Sequence, residues 1–150
     1  MRKHILALTI LTLALAGGAS AQTGQYGTAA EAKAMLERAV VALKANQAAA
    51  LEKFRKRADG FGDRDLYVFC NGPDGAALAH PNPAQAASNL NTLKDAAGKE
   101  FGKEMLAKAK EGQISEVGYV FPRLGDDKPV PKESFITKVG TLICGVGYYK

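Results

Sequence analysis

One long stretch of helical periodicity, followed by strands and turns, constrains the fold of this chain more than any other feature. From Thr28 to about Ala58, apolar residues recur at intervals of three and four, as at positions 36, 40, 43, 50, 51 and 54. That spacing places an apolar stripe along one side of a helix. Thr28 and Glu31 have the spacing of a capping box, and Gly60 and Gly62 end the pattern. The sequence therefore predicts one long helix over residues 28–58.

Five strands are predicted after this helix, because short runs rich in β-branched and aromatic residues alternate with turn residues. The first two form a hairpin, and the last three form a meander. Between the two groups, a second helix is predicted to begin at Asp95 and run to about Lys110. Helices grouped beside an antiparallel sheet make the fold α+β. The predicted strands are residues 66–70, 76–80, 114–121, 134–139 and 141–149.

The first 21 residues have the pattern of a cleavable export signal. A basic start at residues 2–4 precedes an apolar run at residues 5–16, and residues 19–21 have the A-x-A form of a cleavage site. The run is shorter than the roughly 20 residues of a membrane helix. We therefore expect a single domain over residues 22–150, secreted or, in a bacterium, periplasmic, and not embedded in a membrane.

The charge of the chain argues against nucleic acid as a partner. The formal net charge is +5 and falls to about +3 without the predicted signal, and only residues 53–57 form a dense basic cluster. A balance this small does not support binding to a polyanion. The cluster is a solvated helix end, whose cations complement the helix dipole, or a contact with a membrane surface or an acidic partner.

Motifs of common enzyme sites are missing from the sequence. It has no G-x-S-x-G or H-E-x-x-H motif, and after the predicted signal it has one histidine, His80. The two cysteines, Cys70 and Cys144, have neither C-x-x-C nor metal-site spacing. We therefore expect no enzymatic activity, cofactor or metal. In an oxidising compartment the cysteines can form a disulfide, and two separate buried thiols are the alternative.

A series of short motifs resembles one known family in both order and spacing. The motifs are Leu66-Tyr67-Val68-Phe69, Gly75 to Leu78, His80-Pro81-Asn82-Pro83, Asn89-Leu90, Leu93-Lys94-Asp95, Gly98-Lys99, Phe101, Tyr119, Phe121-Pro122, Pro131-Lys132, Ser134-Phe135 and Gly145-Val146-Gly147-Tyr148. They span nearly all of the chain after the signal. Together they resemble the Cache superfamily of extracytoplasmic sensing domains, single-Cache type 2, in a free-standing secreted form.

The resemblance implies a PAS-like five-stranded antiparallel sheet over about residues 64–150, with the long helix on one face. The other face would hold a pocket under the connection that includes the second helix. Domains of this type bind small organic acids such as acetate, propionate, pyruvate or lactate, and most belong to chemoreceptors or sensor kinases. Since nothing follows Lys150, we expect signal transduction, chemotaxis included, to need a membrane receptor or kinase as partner. The alternative is a structural or interaction protein with a degenerate pocket.

Lys132 is the leading candidate for a carboxylate anchor, because an ammonium beside an apolar floor supplies both charge and donors. Its alternative is an edge lysine whose amine reaches solvent. His80 presents a second donor from a proline-rich loop, or bonds to the loop backbone. Tyr119 offers a ring and a hydroxyl to the pocket wall, or packs in the core.

Apolar side chains are the remaining candidates for ligand contacts. Core packing is the alternative for Phe69, Phe101, Met105 and Phe121. At two positions where the family often has Trp and Tyr, this chain has Phe121 and Phe135. Without a hydroxyl, Phe135 would favour a more apolar ligand. Gly145 and Gly147 share one face of the last strand, where they admit a ligand or let a helix approach closely. The candidate wall residues are Phe69, Phe101, Met105, Phe121 and Phe135.

Overall fold

The computed structural model describes residues 24–150, so the predicted export signal at residues 1–21 lies outside the described residues. None of the helices between residues 24 and 150 is long and apolar enough to cross a membrane. Within the described residues, three helices and six strands follow one another. Their order is α1 (Ala29–Ala45), α2 (Gln47–Lys56), β1 (Gly62–Asp63), β2 (Leu66–Asn71), β3 (Ala77–Ala79), α3 (Phe101–Lys108), β4 (Ser115–Pro122), β5 (Pro129–Val139) and β6 (Leu142–Tyr149).

The predicted long helix is in fact two helices that share one capping residue. Thr28 starts α1 with the predicted capping box, in which the carboxylate of Glu31 accepts the backbone N–H of Thr28 at 2.8 Å. At Asn46 the backbone is extended. Its N–H donates to the backbone oxygen of Ala42 and so ends α1, and its side-chain oxygen accepts the N–H of Ala49 at 3.0 Å in the first turn of α2. The prediction of one uninterrupted helix is therefore wrong, because an asparagine side chain can replace the lost helical hydrogen bond.

The sheet contains all five predicted strands, and every neighbouring pair is antiparallel. In space the order is β2, β6, β5, β4, so the C-terminal strand is central. The short β3 pairs with the end of β2, and a two-residue β1, which the sequence analysis missed, pairs with its start. The α+β fold is confirmed. This order places Lys132 of β5 opposite Tyr119 of β4 on one side and Tyr149 of β6 on the other.

Two hydrophobic layers cover the two faces of the sheet, because strand side chains alternate between faces. Helices α1 and α2 lie on the first face, where Leu36 and Phe54 are completely buried. Helix α3 and the loop before it lie on the second face, where Phe101 and Leu90 are buried. The helix layer and the layer over the predicted pocket are thus on opposite faces, as the resemblance implied.

Helix α3 begins later than predicted. Asp95, predicted to cap it, lies in the loop before the helix, where its carboxylate accepts the backbone N–H groups of Ala97 and Lys99 and, from β4, that of Val120. These bonds lower the pKa of Asp95, and they hold the loop against the sheet. The carboxylate therefore organises a turn instead of a helix start, and α3 begins at Phe101.

The two cysteines lie on neighbouring strands of the sheet. Cys70 lies directly opposite Cys144 on neighbouring strands, and the two form a disulfide that is completely buried under the helix layer. The predicted bridge is therefore present.

At the basic end of α2, Arg55 and Lys56 both pair with Glu52 at 2.8 Å. Because Lys53, Arg55 and Lys56 are exposed and paired locally, the geometry favours a solvated helix end.

Candidate ligand-binding site

A cavity opens on the second face of the sheet, between the strands, α3 and the loop at residues 80–93. The cavity itself is small, with a volume of about 30 Å³, and it continues into an open mouth. Its walls are mainly apolar and aromatic with a few polar groups, which is typical of small-molecule sites. The lining residues are Tyr67, Phe69, Asn71, Ala77, His80, Gln85, Ser88, Leu90, Leu93, Phe101, Met105, Tyr119, Phe121 and Lys132.

Lys132 carries the only formal charge that lines this cavity among the described residues, and it is 2% exposed. Its Nζ donates a hydrogen bond of 2.8 Å to the hydroxyl oxygen of Tyr67. It also lies 4.5 Å from the ring centroid of Tyr67, 4.8 Å from that of Tyr149 and 5.3 Å from that of Phe121. Aromatic faces attract a cation at such distances. Within residues 24–150, no carboxylate forms an ion pair with this ammonium.

Burial is the main influence on the ionisation of the polar residues around Lys132. It lowers the pKa of Lys132, because an ammonium loses its hydration there. It raises the pKa values of the three neighbouring tyrosines, Tyr67, Tyr119 and Tyr149, which therefore stay neutral near pH 7. With Lys132 protonated, the site combines a cation with neutral hydroxyl groups. That combination attracts an anion and can donate hydrogen bonds to it.

Gly147 makes space for the buried ammonium. A Cβ atom at this position would overlap the Cε atom of Lys132 and would lie 2.6 Å from the hydroxyl oxygen of Ser134. At Gly145, a Cβ atom would lie 2.6 Å from the ring of Phe69. The two glycines therefore face the cavity layer, and the three atoms nearest to each added Cβ atom belong to strand residues. Of the two roles considered from the sequence, the structure favours space for the site over close approach of a helix.

His80 contributes a second polar group from the loop after β3. Its Nδ1 accepts the backbone N–H of Asn82 at 3.0 Å, so in the neutral ring the proton is on Nε2. Burial, aided by the charge of Lys132, lowers the pKa of His80 to about 4. At neutral pH the ring is therefore uncharged and retains an Nε2–H group that can donate.

The far wall of the cavity is an aromatic stack between β4 and α3. The rings of Tyr119 and Phe101 lie 4.2 Å apart and nearly parallel, and Phe121 meets each of them edge to face. The hydroxyl of Tyr119 is hydrogen-bonded to that of Ser134 at 2.8 Å. Because this hydroxyl is already bonded, Tyr119 supplies mainly an apolar surface. Among residues 24–150 there is no cluster of three or more metal-binding side chains.

A family model for the Cache domain, dCache_2, matches residues 31–150, which is most of the chain. The chain belongs to the Cache domain family. Over 90 residues it is 32% identical to the methyl-accepting chemotaxis protein McpP of Pseudomonas putida KT2440. That stretch covers 58% of this chain and 16% of the relative, so the chain corresponds to a small part of that protein.

Solved structures of sensor domains have the same fold as this Cache domain. One is a periplasmic sensor domain of a chemotaxis protein, with 26% identity and a TM-score of 0.60 over 78% of this chain and 86% of that one. Another is a methyl-accepting chemotaxis protein from Vibrio parahaemolyticus, with 21% identity and a TM-score of 0.64 over 80% and 86%. A third is a Cache chemosensory domain described for its recognition of carboxylic acids, with 24% identity and a TM-score of 0.58 over 78% and 84%.

Most of the residues predicted to form the site meet in the cavity of this Cache domain. Lys132 and His80 supply two of its polar groups, with Tyr119 in the wall. Phe135 is the exception, and its prediction as a cavity residue is wrong. It lies in the helix layer, stacked on Tyr148 at 5.6 Å, because it is three residues from Lys132 and strand side chains alternate between faces. The predicted wall residues that do line the cavity are Phe69, Phe101, Met105 and Phe121.

Two residues that contact Lys132, Tyr67 and Tyr149, were missed from the sequence, and so were six further lining residues: Asn71, Ala77, Gln85, Ser88, Leu90 and Leu93. Tyr67 lies two positions before Phe69 in β2, so alternation along that strand would have identified it. Gly147 was expected either to admit a ligand or to let a helix approach, and the structure places it beside the candidate lysine. Tyr149 contacts Lys132 from the neighbouring strand, and only the register of β5 against β6 reveals that contact.

Proposed function

We propose that this Cache domain is an extracytoplasmic sensor that binds a small organic carboxylate of the acetate, propionate, pyruvate or lactate class. One observation carries the proposal: the buried ammonium of Lys132 faces a cavity and has no carboxylate partner within residues 24–150. Holding an unpaired charge away from water costs several kcal/mol. An anionic ligand would supply the missing partner, so the cost of the empty site becomes affinity for the ligand.

Three donors line the cavity in which the carboxylate would bind. The ammonium of Lys132 supplies charge, and the Nε2–H of His80 supplies a neutral donor. The hydroxyl of Tyr67 accepts from Lys132 and keeps its own proton, which it can donate. A short aliphatic group would then lie against Met105 and Leu90. An acid with a small apolar tail is therefore expected to fit better than a polar dicarboxylate.

The relatives support a role in sensing. They include chemotaxis proteins and a periplasmic sensor domain, and one structural neighbour is described for carboxylic acid recognition. At 24% identity that last likeness establishes the fold alone, so the proposed ligand class rests on the cavity and on Lys132. In our proposal, residues 1–21 direct export, and the domain passes its ligand state to a membrane receptor or kinase.

Isothermal titration of the purified protein with the four acids tests the proposal. Propionamide provides a matched neutral ligand, since it has the size of propionate without the charge. We expect at least one acid to bind with submillimolar affinity and propionamide not to bind. Lys132→Met should abolish that binding, whereas Lys138→Met, which changes an exposed lysine of the same strand, should not affect it. Absence of binding by all four acids, or binding unaffected by Lys132→Met, would favour the alternative of an interaction protein with a degenerate pocket.

A further inference from the structure

Arg123 lies just after β4, outside the cavity lining, and is held between two aromatic rings. Its Cζ is 4.1 Å from the ring centroid of Tyr26 and 4.6 Å from that of Tyr149. Its Nε also donates to the carboxylate of Asp65 at 3.2 Å. The side chain of Asp65 is 7% exposed and that of Arg123 is 21% exposed. This ion pair is therefore poorly screened by solvent.

Two partners of Arg123 either belong to the segment that leads into α1 or bind it. Tyr26 belongs to that segment, and the second carboxylate oxygen of Asp65 accepts the backbone N–H of Gly27 at 2.7 Å. The guanidinium of Arg64 donates to the backbone oxygens of Gly24 and Tyr26, at 3.2 and 2.9 Å. Residues 24–27 are thus docked on the sheet edge by two arginines and a buried carboxylate.

Tyr149 connects this docked segment to the cavity. The same ring that contacts Arg123 has its centroid 4.8 Å from the Nζ of Lys132. Its hydroxyl donates to the backbone oxygen of Pro122, the residue before Arg123, at 2.6 Å. Two cations therefore share one fixed ring in a poorly hydrated region, and each raises the electrostatic cost of the other.

We propose that ligand occupancy of the cavity and docking of residues 24–27 are coupled through Lys132, Tyr149, Arg123 and Asp65. This inference rests on the proposed function, since it takes the ligand to be an anion. An anion beside Lys132 offsets the charge that Arg123 meets across the ring, so the arginine holds Tyr149, Tyr26 and Asp65 more firmly. In the other direction, docked Arg123 neutralises Asp65, a carboxylate that otherwise repels the anion. The coupling is therefore positive, and it must be reciprocal.

Hydrogen exchange measured by mass spectrometry tests one direction of the coupling. The full protein is compared with and without saturating propionate, or whichever of the four acids binds most tightly. We expect exchange at residues 24–28, which include the Gly27 amide bonded to Asp65, to slow at least about fivefold on binding. Unchanged exchange in that segment with a saturated site would overturn the coupling but leave the proposed function intact. If no acid binds, both proposals fail.

A substitution outside the cavity tests the reverse direction. Tyr26→Ala removes one face of the Arg123 contact and is a tolerable change, because Tyr26 is 44% exposed. We expect it to weaken binding of the acid about fivefold and to reduce the ligand-dependent slowing of exchange. Val41→Ala, at an exposed residue of α1, is the matched control and should change neither. Affinity of Tyr26→Ala within twofold of the original protein would overturn the proposal.

Discussion

The ammonium of Lys132 donates a 2.8 Å hydrogen bond to the hydroxyl of Tyr67 across an intervening strand. Lys132 lies on β5 and Tyr67 on β2, and β6 separates them in the sheet. The two side chains can meet over β6 because Gly147 has no side chain there. The polar centre of the site is therefore assembled from three strands, and each of them can be tested separately.

Tyr67→Phe should lower the free energy of unfolding by about 2 kcal/mol in the absence of ligand. The change removes the side-chain acceptor of a buried ammonium, and an unsatisfied buried donor costs about 1–3 kcal/mol. Urea unfolding measures the change. In a double-mutant cycle with Lys132→Met, the second substitution should recover much of the loss, because no unpaired ammonium remains. Additive losses would show that the two side chains do not interact as described.

Gly147→Ala should weaken carboxylate binding at least tenfold while the fold is retained. The added methyl group overlaps the stem of Lys132, so the ammonium must move from its position. Overpacking of this kind costs about 1–3 kcal/mol of stability. Gly118→Ala on β4 is the matched control, since the nearest atom to its added methyl group lies 4.0 Å away. Equal affinities for the two variants would contradict the role assigned to Gly147.

The alternation of side chains along the strands predicted much of this fold. The prediction of Phe135 as a cavity residue did not follow that alternation, and it failed. Alternation places Lys132 and Ser134 on the cavity face and Phe135 on the other. The family resemblance included Phe135 in the site in spite of that parity. The same counting from Phe69 would have found Tyr67. Period-two arguments were therefore more reliable for this site than the likeness of neighbouring motifs.

Other features could not be read from local sequence, because two physical outcomes compete for the same residue. Asn46 can interrupt a helix or point into solvent from its surface, and here it caps two helices. Asp95 can cap a helix or organise a turn, and it does the latter. The contact of Tyr149 with Lys132 depends on strand order and register, which are set by the packing of the whole domain.

His80 should make the domain less stable in mild acid. Its pKa is about 6.5 when unfolded and about 4 in the folded protein. As the pH falls below 6.5, the unfolded chain takes up a proton that the folded chain refuses, so the free energy of unfolding decreases until about pH 4. Between pH 7 and pH 5, His80 alone should lower the free energy of unfolding by about 2 kcal/mol.

Comparison with His80→Gln isolates this contribution. Protonation of carboxylates also destabilises the fold in acid. Glu31 is one of these groups, since its hydrogen bonds with Thr28 and Arg64 lower its pKa to about 2. Because these groups are common to both proteins, the difference between their urea unfolding curves at pH 7 and pH 5 reports His80. Identical pH dependence in the two proteins would show that His80 is not held neutral by the fold.

Replacing both cysteines, as Cys70→Ala with Cys144→Ala, should lower the free energy of unfolding by about 4 kcal/mol in urea. The bridge joins residues 74 positions apart. In the chain-entropy model, closing a loop of that length lowers the entropy of the unfolded chain, and this stabilises the fold by about this amount. Carboxylate affinity should stay within about threefold, because both sulfurs are buried in the helix layer, whereas Tyr67 and Phe69 on the same strand face the cavity. A much larger loss of affinity in a folded double variant would mean that the disulfide sets the position of β2 against β6. In that case ligand binding on one face of the sheet would depend on packing in the helix layer on the other face.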